Sequence, residues 1–202
     1  AGVRHARADR VVGLLVLTTA FTVLFGFAYM VLLPAVVSAA LGHTGAELSR
    51  RVAFVMAANG LGAVAGALVV AALPAGVRRE RIIPFALVTL GLLLAAFALS
   101  RTLWLSLVLS ALAGGALLAV TSLVNTSMQV AAPRGLRGRI MALYVMAFMG
   151  MMPIASILAG AIGQAAGPTN AVWILALPLL AWGLLLASRP ALLRPGAGPG
   201  AG

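Results

Sequence analysis

The chain has 202 residues, 63% hydrophobic and 8% charged, with a formal net charge of +11. A soluble domain carries roughly a quarter charged residues, so the composition argues against a water-soluble globular domain, and its hydrophobicity argues against disorder. The basic residues stand in short clusters between long apolar runs, a pattern that belongs to a membrane and not to a nucleic-acid surface.

A helix needs about 20 apolar residues to cross ~30 Å of hydrocarbon. The charge-free runs are 11–46, 52–77, 82–100, 102–133 and 140–188. Residues 1–10, with Arg4, Arg7 and Arg10, read as a cytoplasmic linker. The run that follows is far longer than the h-region of a signal peptide, about 7–15 residues. The first helix is expected over 11–36 and carries Thr18 and Thr22 at i,i+4, with Tyr29 seven further on. The second, 45–73, opens on Thr44-Gly-Ala-Glu47, a capping box, and Glu47 stands i,i+4 from Arg51. Its interior holds Asn59 and the Gly62-x-x-x-Gly66 spacing, which lets two helix backbones approach closely.

The third helix is expected over 82–99 and the fourth over 103–129. The fourth carries Gly114-Gly115, then Thr121, Asn125 and Gln129 at i, i+4 and i+8 on one face. An unpaired amide in an apolar medium costs several kcal/mol, so Asn59 and Asn125 must face another helix or a wet cavity, and both options stay open. The last run, 49 residues long, divides at the turn-rich segment 163–170 into helices over 138–163 and 171–188. The fifth helix holds Pro153, expected to bend it, and the Ser156-x-x-x-Gly160 spacing. Met141, Phe148 and Met152 share a face with Met149 at its edge, whereas Met146 and Met151 point elsewhere. Such a face suits ordinary core or lipid contact, and equally a surface that repacks around apolar ligands. Residues 189–202, ending in a Gly-Ala-Gly-Pro repeat, are expected to form a disordered cytoplasmic tail.

The expected fold is an all-α membrane bundle of six transmembrane helices over 11–188. Eleven of the 14 Arg fall on one side if the N-terminus is cytoplasmic, and only Arg50, Arg51 and Arg101 on the other. That bias predicts an N-in, C-in topology. All basic residues are Arg, and the Ala-, Gly- and Leu-rich composition suggests a high-GC bacterial source, hence a bacterial cytoplasmic membrane. There is no Cys, and with two distant His and three acids no metal site or cofactor is expected. No charge is expected mid-span, which argues against a proton pump or ion pathway in this segment by itself. Neither is a catalytic constellation present, so no enzyme is expected.

The stretch from Asn125 through Gln129, Pro133, Arg137-Gly138-Arg139, Leu143-Tyr144, Gly150 and Pro153 to Gly160 resembles the loop between helices 10 and 11 of major facilitator superfamily transporters. It is closest to their drug- and siderophore-efflux branch, which typically reads N-x-x-x-Q, then P-[DE]-x-x-R-G-R-[VI]-x-[AS]-L-Y, then G-x-x-P. The resemblance covers about residues 11–188. It departs at Arg134, where the family usually has an acid, and at 77–81, a mainly basic counterpart of the first half's loop motif. The resemblance implies two bundles of six helices, each a 3+3 inverted repeat, with substrate between them. This chain would be the C-terminal bundle of a secondary-active exporter, extruding an amphipathic small molecule by proton antiport. Its partners would be the bilayer, the substrate and a second six-helix bundle, either an N-terminal half or a second copy, with no nucleic acid. Candidate cavity residues are Thr18, Thr22, Tyr29, Asn59, Thr121, Asn125, Phe148, Met149 and Met152. Candidate conformational residues are Arg137, Gly138, Arg139, Pro153 and Gly160. The competing reading is a six-helix membrane scaffold or a transporter remnant that transports nothing.

Overall fold

The computed structural model describes residues 10–41, 45–74, 77–133, 135–189 and 192. Helix α1 is α-helical over Arg10–Phe21, opens into a π-helical turn over Thr22–Phe27 and resumes over Ala28–Leu41. It is followed by α2 (Gly45–Ala71), α3 (Arg79–Leu99), α4 (Leu103–Ala131), α5 (Arg137–Ala166) and α6 (Pro168–Ser188). No strand occurs among the described residues. All six helices are long and apolar enough to cross a bilayer. Helices suit such spans because lipid offers no partner for an open backbone N–H or C=O.

Two boundaries differ from the sequence expectation. Helix α1 runs through Pro34 to Leu41 instead of stopping near residue 36. The turn-rich segment 163–170 contains a single non-helical residue, Gly167, at φ +83°. Gly163 and Gln164 stay helical, and the break is confined to Gly167. Gly167 adopts the left-handed conformation that Gly tolerates. Pro168 then starts α6 at the position where its missing N–H costs nothing. Thr44, the N-cap of the expected capping box, lies outside the described residues, as do residues 1–9 and 193–202.

Packing follows the order α2, α4, α3, α6, α1, α5, with α1 also touching α4. Exchanging α1–α3 with α4–α6 leaves this order unchanged, as in an inverted 3+3 repeat, although α5 also packs on α6 where α2 makes no comparable contact with α3. The tightest pair is α2 with α4. A Cβ on Gly62 would fall on the backbone of Ala111, one on Gly66 on that of Gly115, and one on Gly114 on that of Asn59. Lipid tails are as apolar as Leu, so helices associate through close packing, and these glycines permit it. The α3–α6 pair uses the same device less deeply: a Cβ on Gly91 would lie 2.6 Å from Leu180 Cγ, and one on Gly183 2.9 Å from Val88 Cγ2.

The repeat-equivalent pair, α5 with α1, is built differently. A Cβ added to Gly150 or Gly160 of α5 would meet nothing within 4 Å, and only one on Gly163 would press on a neighbour, Leu32. Only 11% of the apolar window of α2, and likewise of α5, is buried, against 39–50% in the other four helices. So α2 is held mainly by its seam with α4, and α5 rests on α1 and α6 through side chains.

Candidate functional site

Three Thr of α1 satisfy themselves. Thr18 Oγ1 donates to Leu14 O at 2.8 Å, Thr19 to Leu15 O at 2.9 Å and Thr22 to Thr18 O at 2.8 Å. All three are buried. Thr18 Oγ1 also accepts from Trp182 Nε1 of α6 at 3.2 Å, while the Trp182 ring stacks on Phe21 at 4.8 Å. Directly after this run the π-helical turn inserts a wide loop of backbone, a feature that often marks functional positions in helices. It rotates the later part of α1 relative to the earlier part. Tyr29 is thereby fully buried, where it accepts from Asn59 Nδ2 and meets Phe97 edge-on at 6.2 Å.

Asn59 is the centre of a mid-height polar node. Its Nδ2 also donates to Ser110 O at 3.0 Å, and Ser110 Oγ donates to Val55 O at 3.1 Å. The node ties α1, α2 and α4 together, and Asn59 is buried among them. Sequence reasoning overlooked Ser110, although Ser106, Ser110 and Gly114 repeat every four residues along one face of α4. That small-residue spacing was the available signal.

A second polar group lies nearer the Arg-rich end. Gln129 Nε2 donates to Asn125 Oδ1 at 2.7 Å, and the Tyr144 hydroxyl of α5 is a further partner of Asn125. Gln129 is exposed and Asn125 half-buried. Beside it opens a recess of ≈ 130 Å³ lined by Tyr144, Val145, Phe148 and Met149. Phe148 meets Phe27 edge-on at 5.2 Å, and Tyr144 at 6.1 Å. Phe27 is the last residue of the π-helical turn, so the turn helps to aim the aromatic ring that supports the recess. Met152 is half-buried further along α5. Thr121 turns back to its own backbone, donating to Leu117 O at 3.1 Å or Leu118 O at 3.0 Å.

The sequence candidates thus separate into two places. Tyr29 and Asn59 belong to the node, and Thr18 and Thr22 are buried elsewhere on α1; Phe148 and Met149 line the recess, and Asn125 pairs with Gln129 outside its lining. Tyr144 and Val145 complete that lining. Arg137, Gly138 and Arg139 form the exposed first turn of α5, Pro153 is exposed within the helix, and Gly160 opens on space. At the opposite end Glu47 pairs with both Arg50 (2.6 Å) and Arg51 (2.7 Å). Among the described residues, no group of three or more His, Cys, Asp or Glu is placed to hold a metal ion.

Six apolar spans, packed in an order that repeats between the first three helices and the last three, fit one six-helix half of the major facilitator fold. The chain belongs to the transmembrane secretion effector family of the major facilitator superfamily, whose description matches residues 1–194. It is 32% identical over 139 residues to the multidrug efflux pump Tap of Mycolicibacterium fortuitum. The match takes in 69% of this chain but 34% of that protein, so the chain spans about a third of its relative's length. No solved structure matches.

Proposed function

We propose that this chain is the C-terminal bundle of a secondary-active exporter that extrudes amphipathic small molecules across a bacterial cytoplasmic membrane, working by alternating access against a second six-helix bundle. The observation that carries this reading is the recess of Tyr144, Val145, Phe148 and Met149 beside the Asn125–Gln129 pair, on a helix that buries only 11% of its apolar window. The recess is smaller than the ~300–1,000 Å³ of a complete small-molecule site, so in this reading it is one apolar wall of a cavity that the second bundle closes. The relative's name, a multidrug efflux pump, supports the same direction. In this reading the loosely seated α5 is the element that shifts against the partner bundle, and α2, locked on α4, is the frame. The topology is N-in and C-in, the chain supplies no catalytic group, and proton coupling resides in carboxylates of the other bundle.

The test is accumulation of a fluorescent amphipathic cation in cells with and without the intact gene, each with and without a protonophore. Expression should lower accumulation several-fold and the protonophore should abolish the difference; equal accumulation in all four conditions defeats the proposal. A second expected result concerns the first turn of α5. Arg139→Glu should insert normally yet cut efflux about tenfold, as charge reversal disturbs its contact with the other bundle. Unchanged efflux by a normally inserted Arg139→Glu protein removes Arg139 from the mechanism.

A further inference from the structure

We propose that the Arg-rich end of the α3–α6 pair binds the phosphate of anionic phospholipid headgroups. The residues are Arg78 and Arg81, both exposed, and the half-buried Arg79 at the start of α3, with the exposed Arg189 just past the end of α6.

The two ends of the bundle treat charge in opposite ways. At one end, Glu47 sits in the first turn of α2, where the helix dipole favours an acid, and pairs with both neighbouring Arg. At the other, Arg78 is the N-cap of α3 and makes no side-chain capping bond, so guanidinium groups gather where the dipole is already positive. The sequence places eleven Arg at this end against two acids, Asp9 and Glu80. Arg79 Nε is enclosed without a hydrogen-bond partner, a costly arrangement for a buried donor on a charged group. An anion with several acceptor oxygens resolves the repulsion, the open helix start and the unpaired donor together.

Position selects lipid over a protein partner. The helices with unburied faces are α2 and α5, at the two extremes of the packing order. A bundle seated on them leaves the α3–α6 pair, at the middle of that order, facing the bilayer. There the headgroup layer is the nearest phosphate.

The full-length protein in detergent, titrated with phosphatidylglycerol or phosphatidylcholine and read by native mass spectrometry and thermal unfolding, tests this. Wild type should retain phosphatidylglycerol at least tenfold more strongly than phosphatidylcholine and unfold at higher temperature with it. Each Arg near a membrane surface is worth about fivefold in affinity, or ~1 kcal/mol. The triple variant Arg78→Gln, Arg79→Gln, Arg81→Gln should therefore lose most of the preference. Arg79→Gln alone, the gentler change, should lose about fivefold, and Arg79→Lys should fall between. Arg50→Gln with Arg51→Gln, at the other end, should keep the preference. Equal retention of both lipids by wild type, an equal loss in the Arg50/Arg51 variant, an undiminished preference in Arg79→Gln, or the same stabilisation by inorganic phosphate alone overturns the proposal.

Discussion

Replacing Gly62 by Ala is expected to destabilise the bundle by at least ~3 kcal/mol, at the upper end of the usual cost of overpacking. The added methyl would fall on the Ala111 carbonyl group, and the adjoining contacts are also backbone atoms. A flexible side chain could swing away; a helix backbone can yield only by moving α2 as a whole. That shift would also pull apart the Gly66–Gly115 and Gly114–Asn59 approaches along the same seam. Gly60→Ala provides the internal control, two residues away on the same helix. Its Cβ meets nothing within 4 Å, and Ala exceeds Gly in helix propensity by about 1 kcal/mol. The two substitutions should therefore have opposite signs. Thermal unfolding of the detergent-solubilised proteins decides it: a Gly62→Ala midpoint equal to wild type would falsify the close-packed seam.

That seam was legible in the sequence, because small residues four apart have one strong physical use inside an apolar helix. Helix number was legible for a similar reason: bilayer thickness sets span length, and Arg clusters interrupt the apolar runs. The bounds were less so. Gly163, Gln164 and Pro168 carry the composition of a loop, but Pro168 is also a good first helical residue, and the turn takes only Gly167. The π-helical turn at Thr22–Phe27 was invisible, since Val, Leu and Phe in that stretch are equally at home in an α-helix. Missing it had consequences: simple heptad counting sets Tyr29 on the Thr18/Thr22 stripe, whereas the wide turn rotates the later part of α1.

The sequence candidates divide between the polar node and the proposed recess. Phe148 and Met149 of the polarizable α5 face line the recess, and Asn125 lies outside its lining. Tyr144 and Val145 were not singled out, because one motif explained Tyr144 and nothing marked Val145. Uncharged polar residues inside a membrane have two destinations, another helix or a cavity, and single-helix spacing does not separate them. Asn59 and Asn125 illustrate this. One is tied across helices to Tyr29 and the Ser110 carbonyl, the other pairs locally with Gln129 at the edge of an open face. The difference lies in what stands opposite, which only tertiary structure supplies.

Asn59→Leu is expected to cost about 2 kcal/mol. Leu is close to Asn in size, so the change removes two hydrogen bonds with little change in volume. Interhelical hydrogen bonds in membranes are worth roughly 0.6–2 kcal/mol each, and an acceptor left buried without its donor adds a penalty. Tyr29→Phe should cost less, about 1 kcal/mol, as it removes one oxygen and keeps the ring against Phe97. The double variant should be little worse than Asn59→Leu alone, because residues sharing one bond are not additive. Unfolding midpoints of the four proteins measure this coupling, and full additivity would break the inferred bond. The same set separates structure from transport. If Tyr29 serves only the node, Tyr29→Phe keeps efflux close to wild type in proportion to the folded protein present. Should Tyr29 instead contact substrate in another conformation, efflux per folded molecule falls while the unfolding midpoint barely moves. Phe148→Ala provides the contrasting signature: Phe148 is half-buried at the recess, so its loss should depress efflux more than stability.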